Sequence, residues 1–475
     1  MNKIRNSIVF SGKFVYHERK AEKKEDIQRR RGLELKKYKI ATAMLGICMA
    51  VVCGGCSRET LNAQLAESLG TTGMYAGNEP VESPKMKAER ELKEKESERY
   101  AKVTEKIAEA EKLAEMYDYE GALDILSNIE DEYQDAEEVV DAKIEYQQKL
   151  SKMTAYDGDI PHLYFQTLIA DPARAFDGDG MASTYNWSNM TTGEFERILE
   201  SLYENNYVLI DIHEAFGESK ADDGTVSYYR ATPMVPEGKK PIILSQDAVV
   251  YYDYLEGDGF ASRLVLDENG EVKALYEDAD GNELTGDYDF VPILESFIEE
   301  HPDFSLRNAR GIIGLTGYAG AFGYRINDET SSTLESDRET VKAIAEKLRE
   351  DGWCFGSNTY SYSSMAAMTY DEITADTDSW LKEIGDYIGG ADVLFYPYGD
   401  DVGFTGDAFD YLLEKGFKVF CGVWASADYL DVQSNYVHET RRGVDGYNLY
   451  YNEDSYKQFF NLSEILESSR PSWGE

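Results

Sequence analysis

Histidine, cysteine and proline are all scarce in this chain, at five, five and 11 of 475 residues. Three of the cysteines, Cys48, Cys53 and Cys56, fall in or just after one apolar run, so only Cys354 and Cys421 serve the rest of the protein. That number excludes a disulfide framework, although a single bridge between those two stays open. Both lie in apolar, strand-like segments, where a buried and inert thiol is expected. The histidines, His17, His162, His213, His301 and His438, are scattered through the sequence, so folding alone has to assemble any metal site that uses them. No Gly-x-Ser-x-Gly elbow is present, no cysteine has a histidine close by in sequence, and Gly317, Gly320 and Gly323 lack the spacing of a phosphate loop. Basic charge is short as well: 48 Lys and Arg face 90 Asp and Glu, for a net charge of −42. Such a surface repels phosphate backbones, which removes nucleic acid from the partners.

The basic residues that exist are unevenly placed. Residues 1–39 hold 13 of them against five acidic ones, so the remainder of the chain carries −50. Lys36-Lys37-Tyr38-Lys39 leads into the apolar run Ile40 to Gly55, short for a membrane span and ordinary for a signal-peptide core. The run ends in Cys53-Gly54-Gly55-Cys56-Ser57, which resembles a bacterial lipoprotein signal in which Cys56 takes the lipid. The expected location is therefore the envelope, with the chain anchored by lipid to the outer face of the cytoplasmic membrane.

Four segments follow from composition. Residues 1–55 form the basic leader and signal, and 56–84 a polar tether without apolar periodicity. Residues 85–153 lack proline and keep helical spacing at Val103, Ile107, Ala110 and Ala114, then at Leu123, Leu126 and Ile129. The join Ala114 to Leu123 resembles that of a tetratricopeptide-type helical hairpin. A single such unit buries no continuous core, so it suits a stalk or the seat of a protein partner. Residues 159–475 alternate apolar strands with amphipathic helices, beginning Ile160 to Phe165, a Thr191-to-Glu194 capping box, and Tyr207 to Ile212. This predicts an α/β fold with a parallel sheet closed or nearly closed into a distorted (β/α) barrel. Asn-Gly and Asp-Gly turns at Asn269-Gly270 and after Asp280 predict a β-hairpin insertion. Asp278, Asp280 and Asn282 look like part of a calcium loop, but Glu283 stands where that loop needs glycine.

Barrel enzymes keep their reactive groups just past the C-terminal ends of the strands. There the sequence reads Leu244-Ser245-Gln246-Asp247-Ala248, then Ser357-Asn358-Thr359-Tyr360-Ser361-Tyr362, then Phe395-Tyr396-Pro397-Tyr398-Gly399. Their order resembles the NodB-type polysaccharide deacetylases, carbohydrate esterase family four, from about Ile160 to Trp473. The resemblance implies a divalent metal such as zinc, held by an aspartate and two histidines, which polarises an amide carbonyl and acidifies a water. Here only Asp247, matching the general base, survives. Ala248, Asn358 and Tyr362 occupy the three ligand positions, and Phe395 replaces the arginine that would pair with the base. The late histidine motif has only a weak counterpart in His438.

The expectation is accordingly a deacetylase-like domain with no metal cofactor, retained as a glycan-binding or scaffold module. Asp247 remains as a vestigial base, and Asn358, Tyr360, Tyr362, Pro397, Tyr398 and Trp424 are its candidate sugar-binding residues. The partner is an N-acetylated cell-wall or surface glycan. The alternative is a working polysaccharide or peptidoglycan N-deacetylase with ligands that the motif does not reveal.

Overall fold

The computed structural model describes residues 83–425 and 427–473. The signal segment, Cys56 and nearly all of the tether lie outside them. No helix among the described residues is long and apolar enough to cross a membrane.

Three helices come first: α1 (Pro84–Glu115), α2 (Tyr119–Ser127) and α3 (Glu137–Leu150). Asp118 ends the first connection by accepting from the amide of Gly121, an N-cap that starts α2. Ala110, Ala114, Ala122, Leu126 and Val139 form the seam between the helices. From Lys93 onward the helices and the barrel form one compact unit. The seam continues into side chains of the barrel interior, and the amide of Arg307 donates to the Met116 carbonyl at 2.7 Å.

The barrel has seven parallel strands: β1 (His162–Phe165), β2 (Lys240–Gln246), β3 (Ile312–Leu315), β4 (Cys354–Ser357), β5 (Val393–Phe395), β6 (Val419–Val423) and β7 (Val437–Gly443). Each pairs with the next in sequence, and β7 returns to β1 through Arg442 opposite Leu163, so the sheet closes. Side chains alternate across this sheet. Ile242, Leu244, Ile313, Phe355, Leu394 and Phe420 point outward, under α4 (Thr192–Glu204), α5 (Phe290–Glu300), α6 (Leu334–Glu350), α7 (Tyr370–Trp380) and α8 (Asp407–Glu414). Ile243, Ile312, Val393, Val419 and Val437 point inward at the lower end.

The expected capping box at Thr191 and Glu194 is present, with both reciprocal hydrogen bonds. The expected insertion is a three-stranded antiparallel sheet, Ala261–Leu266, Val272–Glu277 and Glu283–Gly286. Its second turn is closed by Asp278, which accepts from the amides of Asp280 and Asn282, so this carboxylate is spent on the turn. The strand expected over Tyr207 to Ile212 stops at Leu209 on the edge of β2, and the chain turns at once into a short helical turn capped by Asp211. The helix Tyr370–Trp380 loosens into a π-turn over Leu381–Gly385.

Candidate functional site

At the mouth, where the strands end, Asp247 is buried and pairs with a residue that the motif comparison did not reveal. Arg441, on β7, grips the carboxylate through both terminal nitrogens, at 2.6 and 3.2 Å. Its guanidinium lies flat 3.8 Å above the ring of Phe395 and 4.5 Å from that of Tyr164. Phe395 was expected to leave Asp247 without its arginine; the arginine is instead supplied from another strand, and Phe395 is its stacking platform. Burial works against the charge on Arg441, but Asp247 outweighs it and holds the pKa above the ordinary arginine value.

Room for that ring comes from glycine. A Cβ on Gly356 would meet Phe395 at 2.8 Å, and one on Gly314 would meet Asn358 Oδ1 at 2.2 Å and Phe395 at 3.0 Å. Gly314→Ala should therefore destabilise the barrel by about 1–3 kcal/mol through overpacking. Chemical denaturation checks it, and the loss should shrink when Asn358 is shortened to Ala in the same chain.

Below the ion pair the polar column continues. His162 Nδ1 lies 2.5 Å from Glu439 Oε1, His162 Nε2 lies 2.8 Å from Ser245 Oγ, and the Cys421 thiol donates to Glu439 at 3.2 Å. A serine, a histidine and a carboxylate in this order have the connectivity of a nucleophile, a base and its orienting group. All three are buried in the barrel core, however, and Arg441 Nη1 covers Ser245 at 3.4 Å. They lock β1, β2, β6 and β7 together. Burial pulls the His162 pKa down against the pull of Glu439, which favours the neutral ring. Cys421 is thus buried as expected. Cys354 is only half-buried, and the two thiols are free.

The three positions that the resemblance assigns to metal ligands carry nothing that suits a zinc-type ion. Ala248 has no donor, and its amide binds Asn358 Oδ1 at 3.1 Å, which takes up the one side-chain atom of Asn358 able to face a cation. Burial, then the charge of Asp247, raises the Tyr362 pKa, so the phenol keeps its proton. Asp247 is committed to Arg441.

Strain and exposure nonetheless concentrate here. Ala248, Thr359, Tyr362 and Tyr398 all have φ between 52° and 63°, which is unfavourable for residues with a Cβ and recurs where ligands bind. Asn358 Nδ2 and Thr359 Oγ1 are buried without a hydrogen-bond partner. Above them the surface is aromatic: Tyr398 is 68% and Trp424 54% exposed, and Tyr398 packs edge-on against Tyr362 at 5.6 Å. Pro397 is buried under Tyr398, starting a short turn. Tyr360 is tied down elsewhere, with its ring over Gly317 and its hydroxyl donating to Glu383 at 2.6 Å. His438 faces away from the ion pair and packs at a tilt against Phe404, with ring centroids 4.3 Å apart. A cavity of about 340 Å³ lies to one side, between the inserted sheet and the segment after β2, lined by Tyr251, Asp253, Phe260, Arg263 and Arg325.

No sequence profile of a known family matches this chain, and no curated protein matches it. Among solved structures it resembles the Streptococcus pyogenes deacetylase PplD in complex with acetate, at 12% identity and a TM-score of 0.33, over 62% of this chain and 98% of that one. The closed seven-strand barrel ringed by helices is a distorted (β/α) barrel in its own topology.

Proposed function

We propose that this chain is a lipid-anchored envelope protein whose deacetylase-like barrel binds an N-acetylated glycan without hydrolysing it. The observation that carries this reading is what stands at the three positions that the resemblance assigns to metal ligands: a methyl group, an engaged amide and a protonated phenol. Without a Lewis acid the reaction loses several kcal/mol of transition-state stabilisation.

Binding is supported by the opposite kind of feature. Tyr362, Tyr398 and Trp424 present aromatic surface over strained backbone, suited to the apolar face of a sugar ring. The amide of Asn358 and the hydroxyl of Thr359 lie beneath with unused hydrogen-bonding capacity. Titration with acetylated chito-oligosaccharides or peptidoglycan fragments, followed by Trp and Tyr fluorescence, should saturate with a Kd on the order of tens of micromolar to millimolar. Tyr398→Ala and Trp424→Ala should each weaken it several-fold, and no acetate should be released. Release of acetate by the unaltered protein would overturn the non-hydrolytic reading, and failure of every glycan to saturate would leave a scaffold. The helices from Lys85 onward then serve as a spacer above the membrane or as the seat of a protein partner.

A further inference from the structure

The end of the barrel opposite the mouth carries a second polar cluster that neither the fold nor the proposed function uses. Asp211 and His213 sit on the turn that follows the Tyr207–Leu209 strand, Cys354 opens β4, and Asp392 immediately precedes β5. Asp211 Oδ1 lies 2.6 Å from His213 Nδ1, and Asp211 Oδ2 accepts from the Cys354 thiol at 3.1 Å. On the far side of the ring, His213 Nε2 lies 3.2 and 3.3 Å from the two oxygens of Asp392. We propose that Asp211, Nδ1 of His213 and Sγ of Cys354 form a site for a zinc-type divalent transition metal on the barrel floor, with Asp392 fixing the imidazole from behind.

The donor set is the first argument. One thiolate, one imidazole and one carboxylate is a combination that favours zinc-like ions over calcium or magnesium, which prefer all-oxygen sites. Spacing is the second. Donor atoms about 2.0–2.3 Å from a tetrahedral ion stand roughly 3.3–3.7 Å from one another. The three donor atoms here all lie within 4.8 Å of one another. The sulfur lies 3.1 Å from Asp211 Oδ2, close to that range, and the imidazole nitrogen lies 2.6 Å from the other oxygen, Oδ1, with a proton now bridging that edge. Exchanging the proton for an ion widens that edge by under about 1 Å, a small rotation of the Asp211 carboxylate.

The surroundings agree. A metal-bound histidine usually gives its other N–H to a carboxylate, and Asp392 stands in that place. Lys418 lies 3.3 Å from the second oxygen of Asp392 and also reaches Glu218, so it balances Asp392 without entering the cluster. Side chains of Asp211 and His213 are 34% and 37% exposed, which leaves a route in and a fourth position for water. The comparable group His162, Cys421 and Glu439 is fully buried beside Arg441 and has neither. An ion on the floor would cross-link the edge strand to β4.

This site goes beyond the glycan-binding reading and is independent of it, because the mouth is at the other end of the strands. The test uses the full chain in detergent, stripped with chelator and titrated with cobalt(II). The expected result is binding of about one equivalent, with thiolate-to-cobalt charge-transfer absorption and a rise in melting temperature. Cys354→Ser should abolish that absorption, and His213→Asn should weaken binding at least about 10-fold, while Asn358→Ala and Tyr362→Phe change neither. Absence of the absorption in the unaltered protein at stoichiometric cobalt, or its persistence in Cys354→Ser, overturns the floor site. Metal that is lost on Tyr362→Phe instead would overturn the non-hydrolytic reading of the mouth as well.

Discussion

Arg441→Met should cost the fold roughly 3–5 kcal/mol, the largest loss expected from a single change at the mouth. The guanidinium is 1% exposed and makes two hydrogen bonds to Asp247, itself buried, while its face covers Phe395. Removing it leaves a buried carboxylate without a counter-charge, and no other cation is hydrogen-bonded to Asp247 among the described residues. The cost belongs mainly to the abandoned partner, which makes the prediction specific. Arg441→Met combined with Asp247→Leu should recover most of the stability lost by Arg441→Met alone, because an apolar pair of similar volume replaces two desolvated charges. Urea unfolding of the two single variants and the double variant measures the coupling. If the double variant is as unstable as Arg441→Met, the ion pair is not what Arg441 contributes.

Arg470→Ala should lose a comparable roughly 3–5 kcal/mol for the same physical reason. The guanidinium binds both oxygens of Glu194 and accepts no substitute for its contacts with the Asn186 and Asn189 carbonyls. Side-chain exposures of 3% and 0% mean that the loss strands Glu194 in the interior. Glu194 is also the third residue of α4 and closes its capping box with Thr191, so the terminal segment is tied into the start of that helix and into the short helix Ala182–Ser188 that carries Trp187. Arg470→Ala should open that short helix to limited proteolysis as well as lower the denaturation midpoint. Unchanged protease sensitivity would show that the clasp does not hold the rim.

The barrel was legible where its strands are apolar on both sides, as in Pro241 to Leu244 and Val393 to Tyr396. It was not legible at β7. Val437-His438-Glu439-Thr440-Arg441-Arg442-Gly443 reads as a polar surface segment, yet Glu439 and Arg441 point into the barrel. Charges that satisfy one another inside a core erase the apolar alternation by which a strand is recognised. The two hydrogen-bonded partners, His162 and Asp247, are 277 and 194 residues away, beyond any local pattern. For the same reason motif comparison identified the missing arginine but not its replacement. The floor cluster was hidden in a similar way, since Cys354 read as a strand thiol and His213 as an isolated histidine. The hairpin Phe216–Lys220 with Val226–Arg230 was also not anticipated, because its strands are short and largely exposed. The exposed side chains of the mouth, Tyr398 and Trp424, were visible as strand-end aromatics grouped with Asn358 and Asp247; what sequence could not give was that the Ala248 amide engages the Asn358 side chain.

The relocated arginine also decides how the mouth responds to its environment. A carboxylate at this strand end has its counter-charge covalently built into the chain, so the shape and charge of the mouth are the same whether transition metals are abundant or withheld. On the proposed reading, recognition at Tyr362, Tyr398 and Trp424 would be constitutive, with no response to the supply of transition metal.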